Sequence, residues 1–197
     1  EKSPFDFIMD GYSQMYGSNE EIAERLRGAN KEDLKEILGG LGMSEAQYKE
    51  GLDIDNFAKK LAQRESGGDS EAVNKEGYTG LLQFGPDRIA DYNKANKTKI
   101  TMEQFRYDKD LQIKVGRWHI KDLDRAYDKN KKAQEKLSRD AFRAVAHLGG
   151  INGAYKYVKT IDLPIGDPNK YNPEDSNGTM LSDYHQLGDS FIQGSDT

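Results

Sequence analysis

Apolar residues recur at helical spacing along most of the chain, in segments separated by glycines and polar runs. In the first quarter, capping patterns at Ser18, Asn30 and Ser44 each precede a short apolar repeat. Residues 1–54 are therefore predicted to form an accessory helical region, for which docking to a larger particle is a hypothesis. An aromatic-rich stretch begins it: Phe5, Phe7, Ile8, Tyr12, Met15 and Tyr16.

Residues 55–163 are predicted to form the core of one globular domain. Phe57 and Leu61 share one face of a helix over residues 55–64, which Glu65 and the following glycines close. Further helices are predicted to begin at a proline or a capping residue, namely Pro86, Thr101, Asp110, and Ser138 or Asp140. The last of these is expected to break at Gly149-Gly150, before another helix over residues 152–159.

One segment of this core has a strand-like composition. Residues 78–84, YTGLLQF, lie between Gly77 and Gly85-Pro86 and predict a small β-hairpin or sheet. This element is expected to form one wall of a cleft whose other wall is the helix that carries Glu65. The predicted fold class is α+β and predominantly helical.

The last segment, residues 164–197, is rich in Asp, Asn, Gly and Ser and predicts a loop-rich C-terminal extension that packs on the core. Its only regular apolar signal is Leu181, Tyr184, Leu187 and Phe191. We expect one short, loosely held helix there.

Composition and net charge exclude several classes of partner and binding site. The chain of 197 residues has a net charge of -5, so neither nucleic acid nor an anionic membrane surface is an expected partner. Because it has no cysteine, disulfides and thiolate metal sites are excluded. Its 3 histidines lack the HExxH pattern, so neither a metal nor a cofactor is expected. Trp118 is in phase with Val115 and is predicted to be a core residue rather than a sugar platform.

Two motifs resemble a known family. Glu65-Ser66, followed by Gly80-Leu81-Leu82-Gln83, resembles the Glu-Ser and Gly-Leu-Met-Gln signatures of the lytic transglycosylases, lysozyme-like enzymes that cut the glycan strands of bacterial cell wall. Residues 142–150, FRAVAHLGG, resemble the family's Ala-Tyr-Asn-Ala-Gly segment. The order and the spacing agree over roughly residues 57–158.

The resemblance implies a lysozyme-like fold without a cofactor and gives Glu65 the catalytic role. Glu65 would protonate the oxygen between N-acetylmuramic acid and N-acetylglucosamine, and then accept the proton of the C6 hydroxyl as a 1,6-anhydro ring closes. Ser66 would orient Glu65, and the segment from Gly80 to Gln83 would present backbone and amide groups to the sugar. The remaining candidates for substrate binding or support near these motifs are Tyr78, Leu82, Phe84, His147 and Tyr155.

The chain departs from the family where the tyrosine of Ala-Tyr-Asn points at the catalytic acid. His147 and Leu148 stand at the matching positions, so His147 or Tyr155 is the candidate to support Glu65, and a core role for His147 is the alternative. Two alternatives stay open at this point. One is a hydrolytic muramidase, which needs a second carboxylate and has Asp69, Glu71 and Asp87 as candidates. The other is a noncatalytic cell-wall-binding or structural module.

The expected partner is peptidoglycan, and the expected place of action is the bacterial cell wall or periplasm. No apolar run is long enough for a membrane helix, so membrane insertion is not expected. Because the chain begins with Glu1-Lys2 rather than Met, we expect a fragment or a processed form. Residues 177–184 resemble C-terminal segments of some phage-tail wall hydrolases, and a virion-associated or exported enzyme within a larger virion or secretion assembly is a hypothesis.

Overall fold

The structure is a computed structural model that describes residues 28–40 and 42–193, except for the side chain of Gln193. The predicted aromatic stretch between Phe5 and Tyr16 and the capping pattern at Ser18 lie outside these residues. The described helices are α1 (Lys31–Gly40), α2 (Glu45–Ser66), α3 (Pro86–Asn96), α4 (Met102–Tyr107), α5 (Lys109–Asp128), α6 (Lys131–Lys136), α7 (Arg139–Lys159) and α8 (Leu181–Gln193). Among these described helices, none is both long and apolar enough to cross a membrane.

The chain divides into two compact units, and the division after Asn56 falls inside α2. In the first unit, the side-chain oxygen of Asn30 accepts the N–H of Asp33 at 2.9 Å and caps α1. Ser44 and Gln47 form the predicted capping box of α2, with reciprocal bonds of 2.9 and 3.1 Å. Local side-chain chemistry therefore sets both helix starts, as predicted.

The second unit has a core built largely between α5 and α7. Ser138 caps α7 by accepting the N–H of Ala141 at 3.1 Å, as predicted. Phe142 and Val145 of α7 are fully buried, and Leu123 of α5 packs in the same cluster. These contacts fix the position of the first half of α7, which carries His147.

The predicted break in α7 occurs at Gly150, where φ is 74° and ψ is 167°. This left-handed φ favours glycine because it has no Cβ. Helical geometry resumes after it and continues to Lys159, so two helical segments meet at this residue. The residues around the break come to line a cleft.

The predicted strand over residues 78–84 is not formed. Thr79 makes single antiparallel bridges with Val73 and with Phe84, and the residues between Thr79 and Phe84 are a turn. The chain reverses there because Gly80 and Gln83 both have a left-handed φ, 85° and 55°. The β element is thus reduced to two isolated bridges at this segment, and a third bridge in the described residues joins Glu174 to Met180.

The C-terminal helix is held more tightly than predicted. Leu181 and Tyr184 of α8 are only 2% and 5% exposed, and the helix packs along α7. Gly188 permits the close approach, since a Cβ there would lie 2.5 Å from the Cα of Ala141. The expectation of loose attachment is wrong, because this face of α8 is buried against the core.

Candidate active site

Glu65 lies in the last turn of α2, and its side chain is 15% exposed. The next residue, Ser66, donates its hydroxyl to the carbonyl oxygens of Leu81 at 2.9 Å and Ala62 at 3.1 Å. Ser66 thereby ties the end of α2 to the turn at residues 80–83. No described bond joins Ser66 to the carboxylate, so it positions the backbone of Glu65 rather than its side chain.

The turn at residues 80–83 is fixed by a buried glutamine that the sequence did not single out. The Oε1 of Gln112 accepts the N–H of Leu81 at 2.8 Å, and its Nε2 donates to the Ser70 carbonyl at 2.7 Å. A Cβ at Gly80 would lie 2.5 Å from this same Oε1. Gln83 folds back on the turn, donating its amide to the Gly80 carbonyl at 2.9 Å. These bonds make the turn a fixed wall.

A tyrosine from α8 reaches the carboxylate of Glu65. The hydroxyl of Tyr184 donates to Glu65 Oε1 at 2.5 Å, across 119 positions of sequence. Burial, followed by the negative charge of Glu65, raises the pKa of Tyr184, so the phenol keeps its proton. Sequence reasoning placed Tyr184 on a helix but found no signal for its partner, because only packing of α8 brings the two together.

His147 also contacts Glu65. Its Nε2 lies 3.5 Å from Glu65 Oε1, and its other nitrogen, Nδ1, lies 2.9 Å from Nε2 of His119. Arg88 of α3 donates from Nε to His119 Nδ1 at 2.9 Å. We call this series, Arg88, His119, His147 and Glu65, the histidine chain. The sequence placed His147 near the acid but did not predict His119 or Arg88.

Both histidine rings of this chain are enclosed by protein. Burial lowers the pKa of His119 well below its usual value, and electrostatic repulsion from a protonated His147 and from Arg88 acts in the same direction. Burial also lowers the pKa of His147, although the charge of Glu65 and the backbone of Leu82 oppose the shift. We conclude that both rings are neutral near pH 7.

A cleft of about 780 Å³ opens next to these residues. Four predicted site residues line it, namely Tyr78, Gln83, Phe84 and His147. Glu65 itself is not among the lining residues and is connected to the cleft by His147. Residues 149–152, at the break in α7, also line the cleft. A cleft of this size is typical of ligand sites.

Other predicted residues lie elsewhere. Tyr155 donates its hydroxyl to the carbonyl of Ala126 at 2.8 Å, so His147 and not Tyr155 contacts Glu65. Leu82 is 5% exposed and is not among the residues that line the cleft. Trp118 is half-buried, edge-on to Tyr92, with its ring centroid 4.4 Å from the Arg88 guanidinium carbon.

The candidate second carboxylates are separated by their surroundings. The Oδ1 of Asp69 accepts the N–H of Glu71 at 2.9 Å within an exposed loop. Asp87 is exposed at the start of α3 and lines the cleft. Two acids that the sequence did not single out, Glu76 and Asp91, also line it.

Comparison with known proteins gives one match. The family described as transglycosylase SLT domain matches residues 43–152, more than half of the chain. The matched region includes Glu65, the turn at residues 80–83, and the histidine chain, and it ends before Tyr184. No curated protein and no solved structure matches the chain significantly.

Proposed function

The chain belongs to the transglycosylase SLT domain family, and on this basis we propose that it is a peptidoglycan lytic transglycosylase in which Glu65 is first the general acid and then the general base. The observation that carries the proposal is the surroundings of Glu65 Oε1. Tyr184 donates to this oxygen at 2.5 Å, and His147 lies 3.5 Å from it. In the described part of the chain, Oε2 has no such partner and is the oxygen left for a substrate.

In the first step, protonated Glu65 donates its proton to the oxygen between N-acetylmuramic acid and N-acetylglucosamine, and the bond from this oxygen to the anomeric carbon breaks. The electron pair of the bond leaves with the oxygen. The neighbouring N-acetyl carbonyl of the substrate shares the positive charge at the anomeric carbon. Glu65 becomes a carboxylate, which the hydroxyl of Tyr184 stabilises through a charge-assisted hydrogen bond.

In the second step, the Glu65 carboxylate accepts the proton of the C6 hydroxyl of the same muramic acid. The C6 oxygen forms a bond to the anomeric carbon and closes a 1,6-anhydro ring. Glu65 is protonated again, and no water is consumed. One carboxylate is therefore sufficient for both steps, whereas a hydrolase needs a second carboxylate to activate water or to bind the sugar.

The cleft supplies the binding surface for the glycan. Tyr78 is 43% exposed and offers an aromatic face at the cleft, and Phe84 lies deeper at 3% exposure. Gln83 is the residue of the fixed turn that lines the cleft and can contact an N-acetyl sugar. Ser66 links this turn to the helix of Glu65, so the acid and the sugar site keep a constant separation.

The test is mass spectrometry of the muropeptides released from purified peptidoglycan by the wild type, by Glu65→Gln and by Glu71→Gln. Glutamine retains an oxygen that accepts from Tyr184 but has no transferable acidic proton. We expect anhydro products from the wild type and from Glu71→Gln, whose side chain is exposed. Glu65→Gln should lose at least about 100-fold in rate, the typical size of general acid catalysis.

Three outcomes would contradict this proposal. Reducing-end products would indicate a hydrolase and direct attention to Asp87, which lines the cleft. Substantial activity in a folded Glu65→Gln variant would remove the assignment of Glu65. Absence of any product from the wild type would favour a noncatalytic wall-binding module.

We further propose that the protein works at the cell wall as part of a virion or as an exported enzyme. Support for this setting comes from the expected substrate and from the sequence resemblance of residues 177–184 to tail hydrolases. Detection of the protein in purified virus particles would separate the two settings.

A further inference from the structure

The histidine chain connects Glu65 to a cation on another helix through an unbroken series of side-chain contacts. Arg88 Nε lies 2.9 Å from His119 Nδ1, and His119 Nε2 lies 2.9 Å from His147 Nδ1. His147 Nε2 then faces Glu65 Oε1 at 3.5 Å. His119 and His147 come from α5 and α7, so three helices and the end of α2 meet in this series.

The position of every proton in the series follows from the arginine. A guanidinium group only donates hydrogen bonds, so His119 Nδ1 is an acceptor and has no proton. A neutral His119 must then have its proton on Nε2, where it donates to His147 Nδ1. By the same reasoning, a neutral His147 has its proton on Nε2, which faces Glu65.

We propose that Arg88 is a positioning residue that, through His119, fixes His147 as a neutral ring whose Nε2–H faces Glu65 Oε1. The proposal rests on the proposed function of Glu65. Tyr184 donates to Oε1, and His147, whose ring also hydrogen-bonds the Leu82 backbone, faces the same oxygen at 3.5 Å, so the proton that Glu65 transfers is on Oε2. Without Arg88, a proton on Nδ1 of His119 becomes allowed, His147 loses its fixed tautomer, and an unprotonated Nε2 of His147 offers Glu65 no donor.

The surroundings hold Arg88 and the rings in this arrangement. The carboxylate of Asp122 accepts a hydrogen bond from Nη2 of Arg88 at 2.7 Å, and the Trp118 ring covers the guanidinium. Phe84 contacts both imidazoles, with ring centroids 4.8 Å from His119 and 5.9 Å from His147. Burial lowers the pKa of both histidines, which excludes the imidazolium form that would remove the need for a fixed tautomer.

Nitrogen-15 NMR of the imidazole rings tests the tautomers directly and needs no activity. An unprotonated ring nitrogen resonates far downfield of a protonated one, so each tautomer gives its own pattern. The chain has only 3 histidines, and the third is an internal control. His185 lies between the Tyr157 hydroxyl at Nδ1 and an Asp189 carboxylate at Nε2, and neither contact involves Arg88, so its pattern should be the same in every variant.

We expect Nε2–H tautomers for His119 and His147 in the wild type. Arg88→Met, which has no donor at this position, should give mixed tautomers at both rings while His185 is unchanged. An Nδ1–H tautomer or an imidazolium at either ring in the wild type at pH 7 would overturn the proposal, and so would an unchanged pattern in a folded Arg88→Met variant.

Kinetics on peptidoglycan separate positioning from substrate contact, because Arg88 also lines the cleft. For Arg88→Met we expect kcat to fall about tenfold with KM unchanged, since Glu65 loses the N–H that faces it but the glycan site does not change. The matched control is Arg125→Met, which removes an exposed ion pair to the same Asp122 and should retain wild-type kcat. A higher KM with unchanged kcat would overturn the positioning role. If the wild type formed no anhydro product, the proposed function would fail, whereas the tautomer result would stand.

Discussion

Removing the hydroxyl of Tyr184 is the change that most directly tests how Glu65 works. In Tyr184→Phe, Glu65 Oε1 loses the donor at 2.5 Å and keeps the contact with His147 at 3.5 Å. The bond is worth about 0.5–1.5 kcal/mol to a neutral carboxyl group and about 1.5–3 kcal/mol to a carboxylate. Because the proposed first step converts the neutral carboxyl group into the carboxylate, about 1–1.5 kcal/mol of transition-state stabilisation is lost. The rate should fall roughly five- to twelvefold.

The assay is the initial rate of anhydro-muropeptide release by the variant, with urea unfolding to measure stability. Tyr157→Phe is the matched control, because Tyr157 is also 5% exposed and its hydroxyl contacts His185 at 2.8 Å, away from Glu65. Both variants should lose a similar free energy of unfolding, about 0.5–1.5 kcal/mol, and only Tyr184→Phe should lose activity. Wild-type rates in Tyr184→Phe, or equal losses of rate in both variants, would refute this account.

The remaining predictions concern stability. Burial lowers the pKa of His119 and His147 in the folded state, so the unfolded state binds more protons than the folded state as the pH falls. The free energy of unfolding should therefore decrease below about pH 6.5, by up to about 1.4 kcal/mol per pH unit for each histidine. Urea midpoints that are equal at pH 7.5 and at pH 5.5 would contradict this. Gly188→Ala should destabilise by roughly 1–3 kcal/mol and reduce activity, because its Cβ would lie 2.5 Å from the Ala141 Cα and displace α8. Gly153→Ala is the control, since its Cβ would meet only a tyrosine oxygen at 3.9 Å. The thermal unfolding midpoints of the two variants measure the difference in stability. A midpoint of Gly188→Ala at or above that of Gly153→Ala would show that the packing argument fails.

Features that depend on neighbouring residues were predictable from the sequence. The caps at Asn30, Ser44 and Ser138 formed as predicted, because each bond joins residues 3 positions apart. The break at Gly150 was predictable for the same reason, since a glycine pair weakens a helix wherever it lies. The prediction of a strand at residues 78–84 was wrong, because strand-like composition does not show that Gly80 and Gln83 reverse the direction of the chain.

The sequence by itself determined a mostly helical chain of the transglycosylase SLT domain family, with Glu65 at the end of a helix. Periodicity, caps and ordered motifs are local, so one sequence records them. Only the tertiary structure decided what surrounds the acid. Tyr184 and the histidine chain lie at distant positions, and their contacts depend on how α3, α5, α7 and α8 pack. A hydrogen bond between residues that are distant in the sequence leaves no recognisable spacing in that sequence. Its geometry is set by how the helices pack around the core.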